Sequence, residues 1–284
     1  MRRLEFLKRR MAMRFNAVML VGLIAGVLTV TAAHAAGGSI LLASTTSTDN
    51  SGLLDHLLPL FKAESGIDVR TVVRGTGQAI RLAEKGDVDV LMVHHRSSEE
   101  RFVTEGYGLA RHEIMYNDFV LIGPEEDPAA IEREGSIERV LTRIAESRTP
   151  FVSRGDDSGT HKREQELWQA AGLDPRAASG GWYREMGAGM GATLNSAAAM
   201  GAYLLCDRAT WLAFKNKRGL AVLYEGTPPL FNQYSVILVN PELHPHVKSI
   251  EGQAFIDWLL SESGQSAIAG FRIAGRQVFF PNGS

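Results

Sequence analysis

Short runs rich in β-branched and apolar residues alternate with longer helical patterns, and this alternation limits the fold more than any other feature of the chain. The predicted strands are residues 39–43, 68–73, 88–93, 119–122, 151–153, 221–224 and 235–239. The predicted helices are residues 51–65, 77–85, 98–105, 137–147, 160–171, 194–209 and 252–261. Strands that alternate with helices are typical of βαβ units, so we predict an α/β fold with a mainly parallel sheet.

Two segments look like crossings between halves of the molecule. The chain leaves the first set of βα units near 116–124 (YNDFVLIGP) and returns near 232–240 (NQYSVILVN). We therefore predict a discontinuous first domain, residues 37–116 plus 236–284, and an inserted second domain, residues 117–235.

The first 35 residues have the pattern of a cleavable signal peptide. Basic residues precede an apolar run at 17–30, and Ala33-His34-Ala35 supplies a small-residue cleavage pattern, with cleavage expected near Ala35-Ala36. A membrane anchor is the alternative, but the run is shorter than the roughly 20 residues that a span needs. Met1, Met11 and Met13 are each possible starts. The pattern predicts a soluble protein exported to a bacterial periplasm.

Net charge and cysteine content limit the kinds of molecule that this protein can bind. The predicted signal peptide holds six of the 30 Lys+Arg and one of the 32 Asp+Glu, so 24 basic and 31 acidic residues remain, a formal net charge of −7. This balance argues against nucleic acid or an anionic membrane as the main partner, although a small anion stays compatible with it. The single cysteine, Cys206, excludes an intramolecular disulfide and a multi-cysteine metal site. We expect a monomer without cofactor or bound metal ion.

Four loops rich in glycine and hydroxyl residues each lead into a predicted helix. They are the Ser/Thr row 43–54 (ASTTSTDNSGLL), 74–80 (RGTGQAI), 153–160 (SRGDDSGT) and 187–195 (GAGMGATLN). A helix N-terminus has unpaired N–H groups and a partial positive charge, and hydroxyls add donors, so such loops favour an anion. In open α/β sheets the ligand lies beyond the carboxyl ends of the strands. With two loops in each predicted domain, a shared ligand would lie between the domains.

Each loop also has a simpler interpretation. Ser51 is predicted to be the N-cap of its helix, and Thr160 can cap the helix that follows the third loop in the same way. Arg154 is the preferred oxyanion ligand because a guanidinium offers two parallel donors and a helix start follows it, whereas Arg74 is interpreted as a solvated charge. The aspartates beside the loops, Asp49, Asp156 and Asp157, are assigned to local caps and turns.

Several of these segments carry a family resemblance. The stretches STTSTDNSGLLDHLLPLF, VRGTGQAIRLAEKGDVDVLMVHHRSSEERFVTEGYG, YNDFVLIGP, SRGDDSGTHKREQELW and LNSAAAMGAYLLCDRATW together resemble the TupA family of bacterial tungstate-binding proteins. The resemblance implies a periplasmic-binding-protein fold of type II, in which two α/β domains joined by a two-strand hinge close on the ligand. It also implies delivery of tungstate to the membrane permease of an ABC transporter, which its cytoplasmic ATPase drives. The implied contacts with the oxyanion are Thr45, Thr46, Ser47, Thr76, Gly77, Arg154, Ser158, Thr160 and Asn195.

Other functions stay open at this point. Molybdate is nearly the size of tungstate, and sulfate is likewise fully deprotonated near pH 7. Hydrogen phosphate would need an acceptor carboxylate, for which Asp49 or Asp156 is available. A serine hydrolase using Ser158 is a remote alternative, because the Gly-x-Ser-x-Gly elbow is absent. The histidines lack metal-ligand spacing, no helix-turn-helix precedes the fold, and His94-His95 is interpreted as an exposed loop pair.

Overall fold

Two long strands, β4 (Gly108–Pro124) and β9 (Phe231–Val239), form the middle of the largest sheet. They pair antiparallel, and Asn117 lies opposite Asn232 in this pair. The computed structural model describes residues 37–226 and 228–283. The predicted signal peptide and its cleavage site lie outside the described residues.

The chain before β4 builds one side of this sheet. Here β1 (Ser39–Thr45) pairs in parallel with β2 (Asp68–Arg74) and with β3 (Val90–Val93), and β3 then pairs antiparallel with β9. The helices of this part are α1 (Thr46–Asn50), α2 (Leu53–Ser65), α3 (Thr76–Glu84) and α4 (Arg96–Thr104).

The chain between β4 and β9 adds the other side. The second half of β4 pairs antiparallel with β7 (Leu204–Asp207) and β8 (Leu220–Tyr224), while β5 (Phe151–Ser153) and β6 (Tyr183–Glu185) form a small parallel sheet. The helices here are α5 (Ile137–Ser147), α6 (Gly159–Ala170), α7 (Met190–Met200) and α8 (Arg208–Ala213), with 3-10 turns at Pro175–Ala178 and Pro228–Leu230.

After β9 the chain returns to the first side. It forms α9 (Ser249–Leu260), α10 (Glu262–Gly270), the hairpin of β10 (Arg272–Ile273) with β11 (Arg276–Gln277), and β12 (Phe280–Pro281), which pairs with β4. In the described part of the chain no helix is both long and apolar enough to cross a membrane.

The predicted mainly parallel sheet is wrong. In the eight-stranded sheet only the β1–β2 and β1–β3 pairs are parallel, and every pair that includes β4 or β9 is antiparallel. The physical reason is that these two strands carry the chain from one side to the other and so run against their neighbours. Alternation of strands and helices predicts βαβ units correctly near β1–β3, but it does not reveal a strand that crosses between halves.

The predicted helix at 194–209 is also wrong. The helix α7 ends at Met200, where Gly201 adopts the left-handed conformation, and Leu204–Asp207 continues as the buried strand β7. A short apolar run without clear periodicity fits a buried strand and a helix equally well, which explains the error. In the first helical segment, α2 continues through Pro59 to Ser65, so the proline does not end the helix.

The buried hydrophobic residues divide along the same lines as the sheet. Two clusters, which include Phe61 and Phe255 in one and Val93 and Phe102 in the other, come from residues 40–115 and from Tyr234 onward, with Ala209 as the exception. The other two come from residues 119–230. Residues 37–284 nevertheless form one compact unit, and the division into two domains stays a prediction.

Glu164 is a buried carboxyl group in the core around α6, and its ionisation should lower stability. Its Oε1 accepts hydrogen bonds from the Tyr183 hydroxyl (2.6 Å) and from Trp168 Nε1 (3.2 Å). Burial raises the pKa of Glu164 from 4.5 to about 7. Because the pKa in the folded state lies above that of the unfolded chain, the folded state loses stability as pH rises from about 4.5 to about 7.

We therefore predict that Glu164→Gln becomes favourable relative to the parent protein as pH rises. The free energy of unfolding of the variant, relative to the parent, should increase by about 1–3 kcal/mol between pH 5 and pH 8, since the amide keeps an acceptor and cannot ionise. Urea unfolding at the two pH values measures the change. The exposed Glu146→Gln serves as control. A difference between Glu164→Gln and the parent that does not vary with pH would contradict the prediction.

Candidate functional site

The Ser/Thr row begins at the carboxyl end of β1 and folds partly on itself. Thr45 is the N-cap of α1: its Oγ1 accepts from the Thr48 N–H at 3.4 Å and lies 2.8 Å from Thr48 Oγ1. The Ser51 hydroxyl donates to the Thr48 carbonyl and accepts from the Leu53 N–H. The predicted N-cap role of Ser51 is wrong, since Gly52 is the N-cap of α2. Part of the row therefore serves local structure.

Ser47 connects this row to the interior of the molecule. Its side chain is 2% exposed, and its Oγ lies 3.1 Å from Thr45 Oγ1 and 3.0 Å from His94 Nε2. Thr46, between them, is half-buried. The three predicted ligands of this loop thus lie beside one another, and Ser47 has a specific neighbour that the sequence analysis did not assign to it.

The second loop places Thr76 as the first residue of α3, after the N-cap Gly75. Thr76 is fully buried, and its Oγ1 has no hydrogen-bond partner. The backbone N–H of Gly77 points at the Asp157 carbonyl of the third loop, 3.4 Å away. The second and third loops are therefore in direct contact.

Arg154 follows β5 in the third loop and is 2% exposed. Its Nη2 donates to Asp156 Oδ2 at 2.5 Å, while its Nε has no hydrogen-bond partner. The other carboxylate oxygen of Asp156 accepts from the Ser158 N–H at 3.3 Å. Asp156 thus serves a local turn, in line with its predicted use, and also neutralises the arginine.

The third loop ends at the N-terminus of α6. Ser158 is the N-cap, its Oγ accepting from the His161 N–H at 3.2 Å, and Thr160 lies in the first turn with a buried Oγ1 that has no partner. An ideal Cβ placed on Gly159 would lie 3.0 Å from Thr76 Oγ1 and 2.8 Å from His94 Cε1. The start of α6, the start of α3 and His94 therefore lie close against one another.

The fourth loop supports the third, but Asn195 lies apart. The Ala188 N–H donates to the Arg154 carbonyl at 3.1 Å, and α7 begins at Met190. Because the helix begins before Asn195, that side chain lies on its exposed face, where it donates to the Gly191 carbonyl and accepts from Asn216. The structure brings together the other eight predicted residues and does not bring Asn195 to them.

His94 was missed as a site residue, because the His94-His95 pair was interpreted as an exposed loop. That interpretation is wrong for His94, which is 5% exposed and stacks on Tyr234 with ring centroids 4.7 Å apart. Its Nδ1 lies 2.9 Å from Asn232 Oδ1, and Asn232 Nδ2 donates to Asn117 Oδ1 at 2.6 Å. The available signal was its position at the carboxyl end of β3, beside the loops after β1 and β2.

The electrostatics favour neutral donors around a single arginine. Burial, together with smaller contributions from His95 and Arg154, lowers the pKa of His94 from 6.5 to about 4, so the imidazole is neutral near pH 7. Asp207, at the carboxyl end of β7, is fully buried; burial raises its pKa, and Arg154 acts in the opposite direction. Such a site can hold an anion by hydrogen bonds without a large excess of positive charge.

Contacts between residues 37–116 and 117–235 lie close to these loops. His95 Nε2 is 3.1 Å from Glu166 Oε1 on α6, and this hydrogen bond is the main factor that lowers the pKa of Glu166. Arg81 Nη1 on α3 is 3.6 Å from Asp157 Oδ2. Among residues 37–226 and 228–283, no group of His, Cys, Asp or Glu side chains is arranged to hold a metal ion.

Comparisons with known proteins identify the family and the fold of the chain. The model of the PBP superfamily domain matches residues 30–263. The tungstate-binding protein TupA of Peptoclostridium acidaminophilum is 46% identical over 251 residues, which cover 87% of each chain.

Two solved structures are similar over most of the chain. The tungstate-binding protein TupA from Desulfovibrio alaskensis G20 has a TM-score of 0.77 and 42% identity, and the match covers 87% of this chain and 100% of that one. The tungstate ABC transporter structure from Geobacter sulfurreducens has a TM-score of 0.75 and 43% identity, covering 82% and 98%. These matches confirm the predicted periplasmic-binding-protein fold.

We predict that Gly159→Ala disturbs the space between α3, α6 and His94. A Cβ at this position must displace Thr76 Oγ1 or the His94 ring, so oxyanion affinity should fall about tenfold or more, because near-ideal positions of several donors are lost together. Calorimetric titration with tungstate and molybdate measures the change. Gly191→Ala is the matched control, since a Cβ there meets nothing within 4 Å. Equal affinities of Gly159→Ala and Gly191→Ala would show that the contact of Gly159 with Thr76 and His94 does not affect the ligand site.

Proposed function

We propose, because the chain belongs to the TupA family of substrate-binding proteins, that it binds tungstate and delivers it to the permease of an ABC transporter. In this function the protein performs no reaction: it captures the oxyanion, closes around it and docks on the permease, which a cytoplasmic ATPase drives. The relatives are named for binding a ligand, and the site supports the same role.

The observation that carries the proposal is a group of buried donors without partners. Thr76 Oγ1, Arg154 Nε and Thr160 Oγ1 are all buried and make no hydrogen bond within the protein. Each unsatisfied buried polar group costs about 1–3 kcal/mol, so three in neighbouring loops indicate that a ligand completes them. The two threonines lie in the first turns of α3 and α6, where the N-terminal N–H groups favour an anion.

The proposed ligand contacts follow from this arrangement. Ser158 retains its hydroxyl hydrogen for a ligand, because its Oγ acts as acceptor in the helix cap. We propose contacts from eight residues of the first three loops: Thr45, Thr46, Ser47, Thr76, Gly77, Arg154, Ser158 and Thr160. Asn195 is left out of the proposal, since both ends of its amide are engaged on the surface.

A fully deprotonated oxyanion suits these groups better than hydrogen phosphate. Both oxygens of Asp156 already accept hydrogen bonds, from Arg154 and from the Ser158 N–H. Each oxygen therefore already uses one of its two acceptor positions, which leaves the carboxylate next to the arginine less available to accept a hydrogen bond from the ligand. Molybdate remains the second candidate, because it presents the same four acceptor oxygens, and sulfate and phosphate follow. The choice of tungstate rests on the named relatives.

The same family role includes closure of two domains and export. We propose that residues 37–116 plus 236–284 and residues 117–235 move relative to each other about β4 and β9, as a monomer in the periplasm. The separate hydrophobic clusters support this division. Removal of residues 1–35 as a signal peptide is part of the proposal.

We predict that Arg154→Ala weakens tungstate binding at least about tenfold. A charge-assisted hydrogen bond contributes about 1.5–3 kcal/mol, and the guanidinium would supply one or two of them. Arg154→Lys should recover only part of the affinity because it lacks the planar fork. Calorimetry with residues 36–284 and tungstate, molybdate, sulfate and phosphate measures both effects.

Asn195→Ala is the control for that titration, and its affinity should stay within about twofold of the parent. If Asn195→Ala lost as much affinity as Arg154→Ala, the ligand would have to contact the exposed face of α7, which would contradict the proposed contacts. Tighter binding of phosphate than of tungstate would identify the protein as a receptor for phosphate instead of tungstate. No heat with any oxyanion from folded protein would overturn the proposal.

We predict that Glu166→Gln accelerates tungstate release. Glu166 pairs with His95 and also with Arg163 (2.7 Å), and these side chains are partly exposed. A pair of this kind contributes up to about 1 kcal/mol, so the dissociation rate should rise about two- to fivefold if the contact holds the closed form. Stopped-flow displacement measures the rate, with Glu146→Gln as control. An unchanged rate would exclude this contact as part of closure.

A further inference from the structure

His94 is hydrogen-bonded on both ring nitrogens and links the ligand site to the strand pair β4–β9. Ser47 Oγ lies 3.0 Å from His94 Nε2, and His94 Nδ1 lies 2.9 Å from Asn232 Oδ1. Asn232 Nδ2 in turn donates to Asn117 Oδ1 across the pair. Three of these residues lie outside the proposed ligand contacts, so their buried network needs its own explanation.

The network fixes where the hydrogens lie. Because Asn232 uses its amide N–H groups towards Asn117 and towards the Tyr234 hydroxyl (3.3 Å), its Oδ1 faces His94 as an acceptor. His94 Nδ1 therefore carries the hydrogen. In a neutral imidazole the other nitrogen must then accept, so the single hydrogen of Ser47 Oγ is donated to Nε2.

This arrangement conflicts with a fully deprotonated oxyanion. Such a ligand only accepts hydrogen bonds, whereas Ser47 in this state offers it oxygen lone pairs. Ser47 can turn its hydrogen to the ligand only if Nε2 carries a hydrogen of its own and donates it to Ser47 Oγ. Tungstate binding, as proposed above, thus requires a change at His94.

We propose that His94 takes up one proton when the oxyanion binds. The imidazolium then donates from Nδ1 to Asn232 and from Nε2 to Ser47, and Ser47 donates to the ligand, with no rotation of the buried amides. The proton comes from solvent. A surface cavity of about 290 Å³, lined in part by His94, Phe119, Phe231 and Asn232, reaches the ring and gives it a path. This inference rests on the proposed function and adds proton linkage to it.

The charges around His94 set the direction of the effect. In the ligand-free protein burial, with smaller contributions from His95 and Arg154, lowers the pKa of His94 to about 4. The stacked Tyr234 is neutral because burial raises its pKa well above the usual value. A dianion in contact with Ser47 offsets the charge of Arg154, and an opposite charge at this range raises a pKa by about 1–3 units. Affinity should therefore increase as pH falls from 8 to 6, because the bound state holds more protons than the free state.

The test is selective ¹⁵N-histidine NMR of residues 36–284, without and with tungstate at pH 6.0, the His94 signals being assigned by their loss in His94→Gln. The expected spectrum changes from a neutral ring with Nδ1–H to an imidazolium. An unchanged neutral ring overturns the inference. A neutral ring with the hydrogen moved to Nε2 also overturns it, since the network would then reverse without a proton from solvent.

Calorimetry in two buffers of different ionisation enthalpy counts the protons. We expect uptake between zero and one that rises from pH 8.0 to pH 6.0 in the parent protein. His94→Gln keeps a donor towards Ser47 and cannot be protonated, so it should still bind tungstate, with no uptake and no dependence of affinity on pH. A variant that merely lost structure would not bind at all. His94→Phe, which keeps the stacking but has no donor towards Ser47, should bind more weakly than His94→Gln.

His95→Gln is the matched neighbour. His95→Gln should retain the proton uptake. If proton uptake were lost in His95→Gln and kept in His94→Gln, the proton would belong to the His95–Glu166 contact, and the inference would be overturned. The outcomes also separate this inference from the proposed function. Tungstate binding without proton uptake removes the inference alone, whereas absence of tungstate binding in the folded parent protein removes the function on which it rests.

Discussion

The antiparallel pairing of β4 with β9 is the contact on which the rest of the structure depends. These two strands carry the chain between its two sides, and they set Asn117 opposite Asn232. Asn232 in turn holds His94 at the end of β3, and His94 holds Ser47 at the start of α1. The Ser47 hydroxyl, one of the proposed ligand contacts, is therefore linked through the buried side chains of His94, Asn232 and Asn117 to the strands between the two halves.

The site stores unsatisfied hydrogen-bonding capacity that a stable core would avoid. Thr76, Thr160 and Arg154 hold buried donors without partners, and the two threonines stand where helices α3 and α6 also begin. A protein selected only for stability would pair or replace these groups, because each costs about 1–3 kcal/mol. An oxyanion that satisfies them recovers this free energy on binding. The same groups that weaken the ligand-free protein therefore supply affinity.

Much of this arrangement could be predicted from the sequence, for identifiable reasons. Local signals are read within a few residues, so the Gly/hydroxyl loops, helix α5 at its observed bounds and the strand β5 were predicted correctly. The predicted role of Asn195 depended on where α7 begins, and the first residue of a helix is among the features that a sequence predicts least reliably. Because α7 begins before Asn195, this side chain lies on its exposed face. His94 was missed because its role is decided by Asn232, which lies 138 residues away. Asn232 and Asn117 carry no local signal, since only the pairing of β4 with β9 brings them together.

Charge balance explains why a histidine is useful in this position. Arg154 is the arginine among the proposed ligand contacts, and Asp156, whose Oδ2 lies 2.5 Å from Arg154 Nη2, already offsets its charge. A dianion that enters therefore meets a site near neutrality, and hydroxyl and N–H dipoles must bear most of its charge. A permanent second cation would hold the ligand strongly and would also bind anions indiscriminately while the site is empty. A buried imidazole, neutral until a dianion lies beside it, adds positive charge only in the complex, and it does so through Ser47, whose hydrogen the ligand needs.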